Sequence, residues 1–133
     1  TSDYAASVRE GLKKCEGLDV ILRGPVGQWQ LAQEQMMASL MVYPCDPINF
    51  TEGFSVSILE SLAAGTPVIT SDADAFPELW SEDTVQIPLP FEGKQEVWIR
   101  EIVSMLTDTD KWKAASTEGI KTAKTYSWYS IGK

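Results

Sequence analysis

Short, uninterrupted apolar runs that stop at Gly or Pro constrain this chain more than any other feature. Asp19 to Arg23 (DVILR) stops at Gly24-Pro25, and Leu40 to Pro44 (LMVYP) ends in its own proline. Pro67 to Thr70 (PVIT) follows Gly65, and Val85 to Ile87, expected as a fourth strand, is broken by Pro88 and Pro90. Runs without polar alternation mark strands covered on both faces, as in a parallel sheet. The segments between them carry helical spacing. Tyr4, Val8, Leu12 and Cys15 share one face, with Thr1 or Ser2 as cap and Gly17 as stop. Gln28 to Ser39 is a second helix, with Leu31, Met36 and Met37 as its apolar positions. Ser55 to Ala64 is a compact apolar helix closed by Gly65. A short helix is expected around Pro77 to Trp80, and another carries Trp98, Ile102, Val103 and Leu106. Lys111 to Tyr126 is the last, with Trp112, Ala115 and Ala123 facing inward.

Strands alternating with helices imply crossover units and a parallel sheet. The expected fold class is α/β, a Rossmann-like three-layer sandwich of four or more strands, in one domain over residues 1–133. Ligands of such sheets bind at the carboxyl ends of the strands. The loops after Arg23, Pro44, Thr70 and Ile87 are therefore the segments to search.

Composition narrows the chemistry. The net charge is −8 and the eleven Lys and Arg are scattered, which disfavours nucleic acid and acidic membranes. No stretch reaches the ~18 apolar residues of a membrane span. No basic segment followed by an apolar run opens the chain, so a cytoplasmic protein is expected. There is no His, hence no imidazole base, ligand or nucleophile partner. Cys15 and Cys45 are too few for a disulfide framework or a zinc site and read as reduced core thiols. The chain runs from Thr1 straight into a helix and reads as a piece of something longer.

Between LMVYP and PVIT lies TEGFSVSILESLAAG, Thr51 to Gly65. Gly53 permits close backbone approach. The start of the following helix, around Phe54 to Ser57, aims N–H groups at the carboxyl edge of the sheet, an arrangement suited to phosphate. Glu60 lies roughly 8 Å along the axis from Ser55. Its neighbours Val56, Ile58, Leu59, Leu62 and Ala63 are apolar or small, so its carboxylate is expected to need a partner. Taken singly, Glu60 reads as a solvated helix residue and Glu52 as an acid stabilising a helix dipole. The pair at this spacing, with the glycine and the preceding strand, favours a site ordered nucleoside, diphosphate, sugar.

Glu52-x7-Glu60, inside EGFSVSILESLAAGTPVITSD, resembles the E-x7-E signature of retaining GT-B glycosyltransferases of the GT4 type (glycosyl transferases group 1). LMVYP resembles their strand ending in a Tyr/Pro-Ser motif, and ILRGPVGQWQL their strand and glycine loop around the nucleobase. DADAFPEL resembles their G-x-x-E segment, and Tyr126 to Trp128 the aromatic mark near the C-terminal helix. The resemblance implies the C-terminal, donor-binding half of a GT-B enzyme, truncated at its amino end. Glu52 would be catalytic, contacting the donor sugar and stabilising charge on its ring. Gly53, Phe54 and Ser55 would line the sugar–phosphate region. Amides at Ile58 and Leu59, or as early as Val56, would touch the diphosphate. Glu60 would bind the ribose hydroxyls, and Gly24, Pro25 and Val26 would border the base. The implied ligand is a UDP- or GDP-type nucleotide sugar, with no cofactor and no metal. The implied partner is an acceptor-binding N-terminal domain in the full protein, without which this chain would be inactive.

Ser55 stands where the family usually has glycine, and Ser61-Leu62 where it has Ala-Met. Asp72-Ala-Asp74 has the spacing of a metal motif but follows a strand, and reads as turn chemistry. Glu78 reads equally as part of the G-x-x-E segment and as an acid in the first turn of a short helix. The five Trp read as packing residues, and Met36, Met37 and Met41 as core filler. A hydrolysing sugar-nucleotide epimerase and a degenerate, non-catalytic GT-B module are the alternatives. A receiver domain is set aside because no acidic pair follows DVILR and no Lys follows Ile87.

Overall fold

The computed structural model describes residues 2–21, 23–44, 56–72, 84–88 and 92–126. Helix α1 spans Ser2–Lys13 and helix α2 Gln28–Met37. Strand β1 is Met41–Tyr43, helix α3 Val56–Ala63 and strand β2 Val68–Ser71. Strand β3 is Thr84–Ile87, helix α4 Gln95–Thr107 and helix α5 Thr109–Thr125. The described strands form one parallel sheet in the order β1-β2-β3. Met41 pairs with Val68, and Val68 with Thr84.

β2 is buried along its whole length, Val68 and Ile69 as apolar and Thr70 and Ser71 as polar side chains. Val68 and Ile69 point to opposite faces because successive strand residues alternate. On one face Val68 meets Ile58 and Leu62 of α3 and Ala123 of α5, with Met41, Tyr43, Leu59 and Tyr126 packed around them. On the other, Ile69 meets Ile87 and Met105, backed by Trp98, Ile102, Trp112 and Ala115. Helices thus cover both faces of the sheet, the expected three-layer arrangement.

α5 links the two faces across the amino-terminal ends of the strands. Its Trp112 Nε1–H donates to Ser39 O (2.7 Å), just ahead of β1. Its Ser116 Oγ–H donates to Gly65 O (2.7 Å), just ahead of β2. The carboxyl ends of the strands therefore stay clear of α5's anchoring bonds.

Several expectations are corrected. Residues 19–21 and 23, expected as a buried strand, are neither strand nor buried; Val20 and Ile21 are exposed. Their backbone is committed locally: the Leu18 N–H donates to Cys15 O and the Val20 N–H to Leu18 O. An apolar run without a ladder partner gains nothing from extension. Met36 and Met37 are exposed rather than core filler, and Trp29 stands 83% exposed. The half-buried positions of α2 are Ala32, Glu34 and Gln35. On α4, Val103 and Leu106 are exposed, and Met105 is the buried residue. Cys15 is half-buried and free, beside an exposed stretch of α1 rather than in a core. Cys45, the helix expected at Pro77 to Trp80, Glu78, Asp74 and Trp128 lie outside the described residues. No helix among the described residues is long and apolar enough to cross a membrane.

Candidate functional site

α3 connects β1 to the parallel strand β2, so it runs back antiparallel to the strands. Its first residues, Val56 and Ser57, therefore lie toward the carboxyl edge of the sheet. Its end, at Gly65, lies at the amino edge. Ile58, Ser61 and Leu62, spaced three and four apart, turn inward and are fully or almost fully buried. The buried Ser61 hydroxyl donates to Thr66 O (3.1 Å), so serine costs little at this position. Thr66 in turn donates from Oγ1 to Gln35 O, tying the end of α3 to the end of α2.

Glu60 lies on the outer face of α3 and is exposed. This corrects the expectation that apolar neighbours would oblige its carboxylate to find a partner: Ile58 and Leu62 point away from it, into the core. What distinguishes Glu60 is its place on the rim of two grooves. One, about 460 Å³, runs between α2 and α3 and is lined by Gln28, Ala32, Gln35, Met36, Glu60, Ala63 and Ala64. The other, about 410 Å³ and mostly apolar, runs between α3 and α5 past Leu59, Ile120, Ala123, Lys124 and Tyr126.

The first groove adjoins the loop singled out for the base. Gly24, Pro25 and Gly27 are exposed and Val26 is half-buried. Gly27 is the N-cap residue of α2, and Gln28 opens the helix. Arg23, just ahead of the loop, is not on a strand. Its Nε–H pairs with Glu34 Oε1 (2.8 Å), which ties the start of the loop to the middle of α2.

Of the sequence-predicted residues, Val56, Ile58, Leu59 and Glu60 stand together on α3, and Gly24 to Val26 stand ahead of α2. Val56, Ile58 and Leu59 are among the first described residues of α3. The Ile58 side chain is core and the Leu59 side chain packs against it. Glu52, Gly53, Phe54 and Ser55 lie outside the described residues. Gln28, Ala32 and Gln35 had not been singled out. Their signal was a stripe of small and amide side chains at i, i+4 and i+7 on one face of α2.

The family described as glycosyl transferases group 1 matches residues 3–108, from α1 through α4, and the chain belongs to it. Three curated relatives, from Streptomyces scabiei, Streptomyces avermitilis and Streptomyces coelicolor, each carry the name D-inositol 3-phosphate glycosyltransferase. Each is 38% identical over 78 residues, covering 50% of this chain. The alignment covers 17% of the S. scabiei protein and 16% of each of the other two. No solved structure matches the chain significantly.

Proposed function

We propose that this chain is the donor-binding part of a glycosyltransferase of the hexosyltransferase type (EC 2.4). It would move a sugar from a UDP- or GDP-type nucleotide sugar to an acceptor with retention of anomeric configuration. The observation that carries the reading is the position of Glu60. It lies on the rim of a groove whose opposite wall begins at Gln28, directly after the Gly24–Gly27 loop. The groove volume, about 460 Å³, is within the range of small-molecule sites.

In this reading Glu60 accepts hydrogen bonds from the ribose hydroxyls. The amides at the start of α3 meet the diphosphate, helped by the helix dipole. Gly24, Pro25 and Val26 border the base. Glu52 stands beside the donor sugar, and Gly53, Phe54 and Ser55 line the path from sugar to phosphate. As the sugar–phosphate bond breaks, the acceptor's proton passes to the leaving phosphate on the same face. That route needs no metal. The acceptor would be held by a further, N-terminal domain of the full protein, in the cytoplasm, and this chain alone would bind donor without turning over.

Calorimetric titration with UDP, GDP and their sugar conjugates tests the reading. Binding is expected with a dissociation constant between about tens of micromolar and a millimolar. Glu60→Ala should weaken it tenfold or more, about 1.4 kcal/mol. The absence of nucleotide binding, or binding unchanged in Glu60→Ala, would overturn it.

A further inference from the structure

We infer that Thr70 is a positioning residue for the donor sugar: its buried hydroxyl holds the carboxyl end of β1, from which the chain leads to Glu52. The inference rests on the donor-binding reading above, in which Glu52 stands beside the sugar. It adds a residue that touches neither sugar nor nucleotide.

The carboxyl end of β1 takes its hold from a side chain. Tyr43 is the last residue of the strand, and Pro44 after it has no N–H to carry the ladder further. Thr70 lies opposite Tyr43 in the register of β1 and β2. Its Oγ1–H donates to Tyr43 O (2.8 Å). Thr70 is fully buried, on the face of β2 that Val68 turns to α3. Valine has nearly the same shape and no polar atom to desolvate, so what the hydroxyl adds there is its bond. The other neighbour of β2 is held differently. The Asp72 N–H donates to Ile87 O (3.1 Å) at the end of β3, a main-chain bond that does not depend on which side chain stands there.

Residues 45–55 separate Pro44 from Val56, the first of α3, and Glu52 is among them. One end of that stretch is set by the end of β1. The other is set by α3, which is seated on Val68 through Ile58 and Leu62. The second anchor is a cluster of apolar side chains and does not rest on any single polar bond. The first has the Thr70 hydroxyl. Its loss should therefore displace Glu52 while leaving α3, Glu60 and hence the nucleotide in place. A displaced carboxylate costs the sugar its hydrogen bonds.

The test is calorimetric titration of the wild-type chain, Thr70→Val, Thr70→Ala and Thr70→Ser with UDP and UDP-glucose, and with GDP and GDP-mannose. The readout is the ratio of two dissociation constants, bare nucleotide over sugar conjugate, which a general loss of stability does not move. The wild type should bind one conjugate more tightly than its bare nucleotide. Thr70→Val should bind the bare nucleotide within about twofold of wild type and lose about threefold or more of the ratio. Thr70→Ala removes the hydroxyl in another shape and carries the test if the valine variant does not fold. Thr70→Ser keeps the hydroxyl and should keep the ratio. A ratio unchanged in both Thr70→Val and Thr70→Ala, or lost equally in Thr70→Ser, would overturn the assignment and leave the donor-binding reading standing. So would a wild type in which the sugar adds no affinity. A wild-type chain that binds no nucleotide overturns both.

Discussion

Gly65 ends α3 with φ +81°, in the left-handed region. A Cβ there would sit 3.2 Å from Ser116 Oγ and 3.4 Å from Ile120 Cδ1. The left-handed backbone costs a non-glycine residue about 1–2 kcal/mol, and the neighbours are held because Ser116 bonds the Gly65 carbonyl. Gly65→Ala should therefore destabilise the protein by about 2 kcal/mol in urea denaturation. Gly119, inside α5, meets a different constraint. Its Cβ would lie 2.9 Å from Leu62 Cδ2 and 3.6 Å from Leu62 Cβ, and Leu62 is buried. Alanine gains about 0.5–1 kcal/mol as a helix former but overpacks a core at about 1–3 kcal/mol. A net loss of about 1 kcal/mol is expected. Gly11, in α1, has nothing within 4 Å of its Cβ site, so Gly11→Ala should raise helicity without loss. Far-UV circular dichroism and urea curves of the three variants check the ordering.

Elements differ in how far their own sequence commits them. β1, β2, β3, α3 and α5 fall within a residue or two of the expected bounds, because each carries its cause locally. β1 and the first half of β2 are apolar, β3 is set between Asp83 and Pro88, α3 has an inward i, i+3, i+4 face, and Gly65 stops it. α5 is capped by Asp108, which accepts from the Lys111 N–H at 3.0 Å. The side of α2 that packs, and the fate of 19–23, depend on neighbours that no single segment specifies. α1 is helical as its spacing predicts, yet among the described residues it belongs to none of the closely packed pairs of elements. A helix of 12 residues that is not closely packed against other elements is marginal in water. Amide hydrogen exchange should therefore show α1 opening at small cost while β2, buried throughout, exchanges only on global unfolding. Protection of α1 equal to that of β2 would contradict this account.

At the scale of the molecule, the candidate site was legible where it is a pattern and illegible where it is a juxtaposition. Glu60 and the Gly24–Val26 loop stand out because spacing and punctuation mark them. Gln28, Ala32 and Gln35 do not, since small and amide side chains on a helix read as a solvated face until α3 is seen beside them. The same dependence on juxtaposition governs stability. α5 places Ala123 in the cluster of Ile58, Leu62 and Val68, and Trp112 and Ala115 against that of Ile69, Ile87 and Met105. β2 contributes Val68 to one and Ile69 to the other. Two cores that share a strand and a helix should melt together. Leu62→Ala removes a side chain 1% exposed and should cost about 2–5 kcal/mol, a large part of a typical domain's 5–15. α4 packs on the opposite face and takes no part in the cluster of Leu62. If the faces are coupled through β2 and α5, the opening free energy of α4 amides in Leu62→Ala should fall by as much as that of β2. Unchanged protection in α4 would mean that the second face holds without the first, and that α5 bridges two independent units rather than closing one.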